Sequence, residues 1–203
     1  MMSKLRRRRA RAVVTAVAVA ATTGVLAAGC TGGGDSDGGP QPTGAGSPDT
    51  PAVTTAVSVG KVVGRLPQAA RDNLSDEVGQ VVDGWFDAAY LGGDYPRQAA
   101  DFGDAWPGFT AGAAAEAKRD GDLMSNRDIA AEVDGVEATR KAVRFDVLAV
   151  RKKAAGVTAH VRLRFTTTGD LEKTVTVAGR LYLTRTKHGW QVFGYDVTKG
   201  GAR

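Results

Sequence analysis

The sequence predicts an α+β domain in which helices come first and an antiparallel sheet follows. Three observations carry this expectation. Apolar residues recur at helical spacing between residues 68 and 91; from Asp128 onward the period changes from 3.6 to 2; and short turn signals divide the alternating stretch into four strands. A length of 203 residues holds one ordinary globular domain with extensions. The single cysteine excludes a disulfide framework and a Cys-rich zinc site.

The extensions come first in the chain. Six of the 27 basic residues (Lys4, Arg6, Arg7, Arg8, Arg9 and Arg11) lie in the first eleven positions, and no acid precedes Asp35. An uncharged run rich in Ala and Val follows, from Ala12 to Gly29, so residues 1–29 have the charged head and apolar body of a secretory signal. Its end, Leu26-Ala27-Ala28-Gly29-Cys30, resembles the lipobox of bacterial lipoproteins, with Ala27 where Leu is commonest. That resemblance implies a signal peptide cleaved before Cys30, a thiol carrying diacylglycerol, and palmitate-type acylation that anchors the mature chain at the outer side of the cell membrane. Two or more acyl chains hold a protein stably, whereas one holds it marginally. The 18 uncharged residues also meet the minimum length of an uncleaved transmembrane span, although their Ala, Thr and Gly content is only weakly apolar. The run Arg6 to Arg9 suits either the general secretory or the twin-arginine route.

Residues 30–65 are expected to be the lipidated cysteine and a tether. Seven Gly and four Pro occur between Thr31 and Pro51, a composition that cannot offset its own ordering entropy. Its root-mean-square reach is on the order of 25 Å. Val53, Thr55, Val57, Val59, Lys61 and Val63 then alternate, as an edge strand or as merely extended chain.

The folded domain is expected over residues 66–203. After Pro67, the apolar set Leu74, Val78, Val81, Val82, Trp85, Phe86 and Ala89 forms a stripe about 120° wide on a helix running from 68 to 91 and stopped by Gly92 and Gly93. Asp83 and Asp87 lie opposite the stripe, on what reads as a solvated face. Shorter helical patterns span Pro96 to Trp106 and Thr110 to Arg119. Four strands follow, over 140–151, 156–167, 171–185 and 189–198. The turns between them are read at Ala154-Ala155-Gly156, Gly169-Asp170 and Lys187-His188-Gly189.

This order, ending in GRLYLTRTKHGWQVFGYDV, resembles the NTF2-like (cystatin-like) α+β cone. The residues that carry the resemblance are Val177, Gly179, Leu181 and Leu183, with Gly179 expected at a bulge, and the hairpin into Trp190, Val192 and Tyr195. It implies N-terminal helices packed on a curved meander of four or more strands. Actinobacterial envelopes contain secreted and membrane-tethered proteins of this kind, and 18 Arg against 9 Lys suits a high-GC genome. Isomerase and cyclase branches of the family place polar groups inside the cone. Here Tyr90, Tyr95, Asp101, Asp104 and His160 have no recognisable catalytic spacing, so a small-molecule enzyme is the runner-up reading. A cone filled by Trp85, Phe86 and Phe145 argues against it, and a buried Asp or His beside a Tyr argues for it.

Seven of 13 aromatic residues fall between Trp85 and Phe109, which makes Tyr90, Tyr95, Phe102 and Trp106 a candidate pocket lining or ordinary core. His160 shares strand parity with Arg162 and Arg164, opposite that strand's apolar set. With Arg180 these residues form a candidate partner face for an envelope protein, lipid headgroups or a second copy; the alternative is a solvated face. His160 and His188 do not make a metal site, and no cofactor is expected. The formal charge of +5 belongs to the leader: from residue 30 onward there are 21 bases and 22 acids. Residues 66–135 carry −9 and residues 136–203 carry +9. Nucleic acid is not an expected partner, mainly because the expected compartment is extracytoplasmic and also because no binding motif accompanies the charge. The expected function is that of a lipid-anchored extracytoplasmic binding or adaptor module.

Overall fold

The computed structural model describes residues 52–202. Leader, lipobox, Cys30 and the Gly/Pro-rich tether up to Pro51 lie outside the described residues. Helix α1 (Gln68–Phe86) starts after extended Pro67, whose carbonyl accepts from the Ala70 and Arg71 N–H groups. Leu74, Val78, Val82, Trp85 and Phe86 bury the expected stripe. The helix does not run regularly to residue 91. Asp87–Leu91 is a wider, π-type turn, which releases the Ala89 and Tyr90 carbonyls to accept from Asn126 N–H, Asn126 Nδ2 and Tyr95 Oη.

The helix expected over Pro96 to Trp106 shrinks to a 3₁₀ turn, Ala99–Phe102, closed by reciprocal hydrogen bonds between Gln98 and Asp101. The surrounding aromatic residues gave that stretch its helix-like spacing, but they pack from a loop. Helix α2 (Ala111–Arg119) is capped by the Thr110 hydroxyl, which accepts from Ala113 N–H at 3.3 Å. A short α3 (Gly121–Met124) and a 3₁₀ turn (Ala130–Glu132) complete the helical layer.

The sheet is an open, mixed layer of five strands in sequence order: β1 (Ala56–Val63), β2 (Gly135–Val150), β3 (Lys153–Thr168), β4 (Thr174–Thr186) and β5 (Gly189–Ala202). Strands β2 to β5 form the antiparallel meander. The fifth strand decides between the two readings of the alternating stretch: β1 pairs parallel with β2 as an edge strand, although it lies before Leu66, in the segment assigned to the tether. The first reversal also differs. It falls at Arg151-Lys152, not at Ala154-Ala155-Gly156, and both residues have positive φ (50° and 65°), as a type I′ hairpin turn requires. Each costs roughly 1–2 kcal/mol relative to a residue suited to that region, so no sequence rule would place the turn on these two side chains.

One sheet face carries the core. Val143, Phe145, Leu163, Phe165, Val177, Leu181, Leu183 and Val192 pack against Trp85, Phe86, Tyr90, Phe109 and Met124, with almost no exposure. Gly179 is regularly paired with Val161 and Val197 and is not at a bulge; a Cβ there would lie 2.2 Å from the Asp196 carbonyl oxygen. The bulge between β4 and β5 lies at Tyr182/Leu183, where Phe193 has no partner in the register. Near its start the β5 edge is covered by the Gly108–Thr110 backbone, which exchanges two hydrogen bonds with Val192.

Candidate functional site

Of the candidate pocket residues, Tyr90, Phe102 and Trp106 are core, and Tyr95 is half-buried against them. Tyr90 is fully buried and its hydroxyl donates to the Leu123 carbonyl at 2.8 Å; burial pushes its pKa well above the ordinary value. Tyr95 donates to the Tyr90 carbonyl at 2.8 Å. Phe102 lies under the Arg97 guanidinium, 4.0 Å from its ring centroid, and Arg97 also donates to the Gly92 and Asp101 carbonyls. Trp106 is buried as well. Trp85, Phe86 and Phe145 have no exposed surface, and Asp101 and Asp104 are exposed. The sequence-predicted pocket is therefore packed apolar volume. Among the described residues no group of three or more His, Cys, Asp or Glu is placed to hold a metal, and no helix is long and apolar enough to cross a membrane.

The opposite charges of the two halves partly meet across the seam between layers. Lys141, only 13% exposed, reaches Asp83 at 3.0 Å and Asp87 at 3.9 Å, and Asp83 also accepts from the Thr55 hydroxyl. Asp83 is thus tied to β2, whereas Asp87 stays exposed on the solvated face that the sequence reading expected for both. Arg185 pairs with Glu77 at 2.9 Å, and Lys199 with Asp128 at 2.5 Å. Tyr195 donates to the Asp120 carboxylate at 2.7 Å, and burial together with that carboxylate raises the phenol's pKa.

The residual positive charge sits on the outer sheet face, where strand alternation was expected to place His160, Arg162, Arg164 and Arg180. Register sets Arg140 directly opposite Arg164, and aligns Arg144, His160, Arg180 and Asp196 in one row across four strands. Arg162 lies between Ala142 and Ala178, whose small side chains leave a shallow trough of about 580 Å³ walled by Arg140, Arg144, His160 and Arg162. Arg144 and Asp146 were missed by the sequence reading, although the alternation of Val143, Phe145 and Val147 points them outward. Arg180 is paired with Asp196. Arg140, Arg162 and Arg164 have no acidic partner within 4.0 Å among the described residues. Like charges directly opposite one another weaken a sheet, so this arrangement is not explained by stability.

No family, curated protein or solved structure matches the chain in comparisons with known proteins. The site has to be read from its own chemistry.

Asp146 organises the edge of the trough. Its carboxylate accepts from the Lys61 backbone N–H at 2.8 Å, and lies 3.0 Å from His160 Nε2 and 3.3 Å from Arg144. The Lys61 hydrogen bond is the largest cause of an Asp146 pKa below the ordinary value. A lowered carboxyl pKa contributes stability that is complete above the unfolded value, about 3.9, and is lost as pH falls through the folded value. Asp146→Ala is expected to cost about 1 kcal/mol near neutral pH and to speed amide exchange at Lys61. The difference from wild type should shrink under acid, as read by urea denaturation across the acidic range.

Proposed function

We propose that the protein is a lipid-anchored extracytoplasmic lipoprotein whose domain, of NTF2-like architecture, is a non-catalytic binding or adaptor module of the cell envelope. Residues 1–30 support the anchor by their charged head, apolar run and terminal Leu26-Ala27-Ala28-Gly29-Cys30. The helices on one face of a meander support the architecture. The working surface in this reading is the outer sheet face, and the observation that carries it is a trough floored by alanines and walled by Arg140 and Arg162, with Arg164 opposite Arg140, three guanidiniums without an acidic partner among the described residues. Such a face suits an anionic partner, because a field of one sign steers association and selects its complement. An isomerase or cyclase needs a cavity reaching a polar group, and the space such a cavity would need is occupied here by Trp85, Phe86 and Phe145.

Two substitutions test the reading. Cys30→Ala is expected to move the protein out of the salt-washed membrane fraction, and retention there would favour an uncleaved helix. Arg162→Glu with Arg164→Glu is expected to abolish co-purification of the envelope partner while leaving the urea midpoint unchanged or slightly raised, because both side chains are exposed and the change relieves the opposition of Arg164 to Arg140. An unchanged set of partners would overturn the adaptor reading.

A further inference from the structure

Irregularities of four adjacent chain segments converge at one end of the outer face. Strands β1 and β2 slip in register between Val59 and Val62, and β2 and β3 slip between Leu148 and Ala149. At the third, between β4 and β5, the bulge leaves Phe193 unpaired between buried Val192 and Gly194, and its ring turns out beside Tyr182 at 6.4 Å. A bulge re-aims a side chain, and here the side chain it re-aims is a phenylalanine left 54% exposed. Val63, Leu148 and Val150, at the same end, are 50%, 52% and 51% exposed. The fourth irregularity is the Arg151-Lys152 turn, where two cations occupy left-handed backbone that Asn-Gly would adopt with less strain. Lys153 and Lys61 are exposed nearby.

Val63, Leu148, Tyr182 and Phe193 line a shallow groove of about 310 Å³ with Lys61 at its rim. Gly156, the cross-strand partner of Leu148, leaves the floor open, since a Cβ there would meet nothing within 4 Å. The one acid of the groove, Asp146, is already engaged by Lys61 N–H, His160 and Arg144.

We propose that this end of the sheet docks on an anionic lipid bilayer. Phe193, Leu148, Val150 and Val63 enter the headgroup region, and Arg151, Lys152, Lys153 and Lys61 meet lipid phosphates. Apolar side chains interleaved with cations match that interface. The proposal rests on the reading that Cys30 holds the chain at a membrane. The tether permits it: 21 residues from Thr31 to Pro51 span up to about 70 Å when extended, while the eight residues of β1 cover about 26 Å. Docking fixes the orientation of the domain, which an acyl anchor at Cys30 does not by itself set.

The test uses the mature-length chain, residues 30–203, carrying Cys30→Ser, with vesicles of phosphatidylcholine alone or mixed with phosphatidylglycerol. Co-sedimentation is expected with the mixed vesicles, weakening as salt rises, and not with phosphatidylcholine. Arg151→Asn with Lys152→Gly is expected to raise the urea midpoint and yet weaken binding about 25-fold, at about fivefold per cation. Leu148→Ser with Phe193→Ser is expected to weaken binding while leaving its salt dependence unchanged. With no other cysteine in this chain, a polarity-sensitive dye on Phe193→Cys should shift to the blue on the mixed vesicles, and one on Lys173→Cys at the far end of β3 and β4 should not. Equal binding to both vesicle types, or full binding by either double variant, would falsify the proposal and leave this end to a protein partner. The acyl mass on Cys30 of the membrane-purified full chain reads the anchor separately: an unmodified thiol with vesicle binding intact overturns the anchor reading alone.

Discussion

Replacing Trp85 by alanine is expected to cost about 3–5 kcal/mol, a large share of the 5–15 kcal/mol that typically stabilises a domain. The indole sits where the helical layer meets the sheet. Its ring centroid lies 5.3 Å from that of Phe86, 5.5 Å from Tyr90 and 6.0 Å from Phe109, and Nε1 donates to the Met124 carbonyl at 3.2 Å. Truncation removes apolar contact on three sides and leaves a buried carbonyl without its donor. Trp85→Phe keeps most of the volume and loses the hydrogen bond, so it should fall well short of the alanine effect. Urea denaturation followed by far-ultraviolet circular dichroism checks both. A Trp85→Ala cost under about 1 kcal/mol would show that the interior is loosely filled, and would return the enzyme reading to consideration.

The second large effect is expected at Lys199. Its side chain is 8% exposed, and Nζ donates to the Asp122 carbonyl at 3.0 Å, the Ser125 carbonyl at 2.8 Å and Asp128 Oδ1 at 2.5 Å. One ammonium thereby pins α3 and the loop after it onto β5. Asp128→Ala leaves the charge with carbonyls alone. Breaking a buried pair costs about 3–5 kcal/mol, and because Asp128 is itself 35% exposed we expect about 2–3 kcal/mol. Burial is the largest cause of a Lys199 pKa below the ordinary lysine value, partly opposed by Asp128. With the folded pKa below the unfolded value of about 10.4, the unfolded chain binds more protons in the interval between them. Stability contributed by this group therefore rises with pH across that interval, and below it the burial penalty is fully present. Wild type should gain relative to Lys199→Met as pH is raised toward about 10. Tyr90 and Tyr195 act in the opposite direction but are common to both proteins and cancel in the difference. Paired urea midpoints at neutral and alkaline pH provide the measurement, and a difference that does not move with pH would refute the assignment.

Legibility in the sequence followed the range of the interactions involved. Helix α1 and strands β2 to β5 were visible because alternation of apolar and polar residues is local, and the same parity put His160, Arg162, Arg164 and Arg180 on one face. Applied consistently, it also yields Arg144 and Asp146. Strand β1 was ambiguous because its partner in β2 lies far along the chain, Ala56 aligning with Ala142. No turn rule points to Arg151-Lys152, and parity cannot anticipate the bulge that turns Phe193 outward. The aromatic cluster from Trp85 to Phe109 could be counted but not assigned, since a packed core and a ligand cavity draw on the same residue types.

The position of β1 also has a kinetic consequence. Every other strand pairing joins neighbours across a short hairpin, whereas β1 must close a loop of more than 80 residues to reach β2. Loop closure of that length carries an entropic cost that must be met before the contact is rewarded, so the hairpins are expected to form early and β1 to dock late. Among the described strands, β1 is then the last to be captured. Until it docks, the edge of β2 that it covers stays open, so β2 is the strand that waits longest for its second partner.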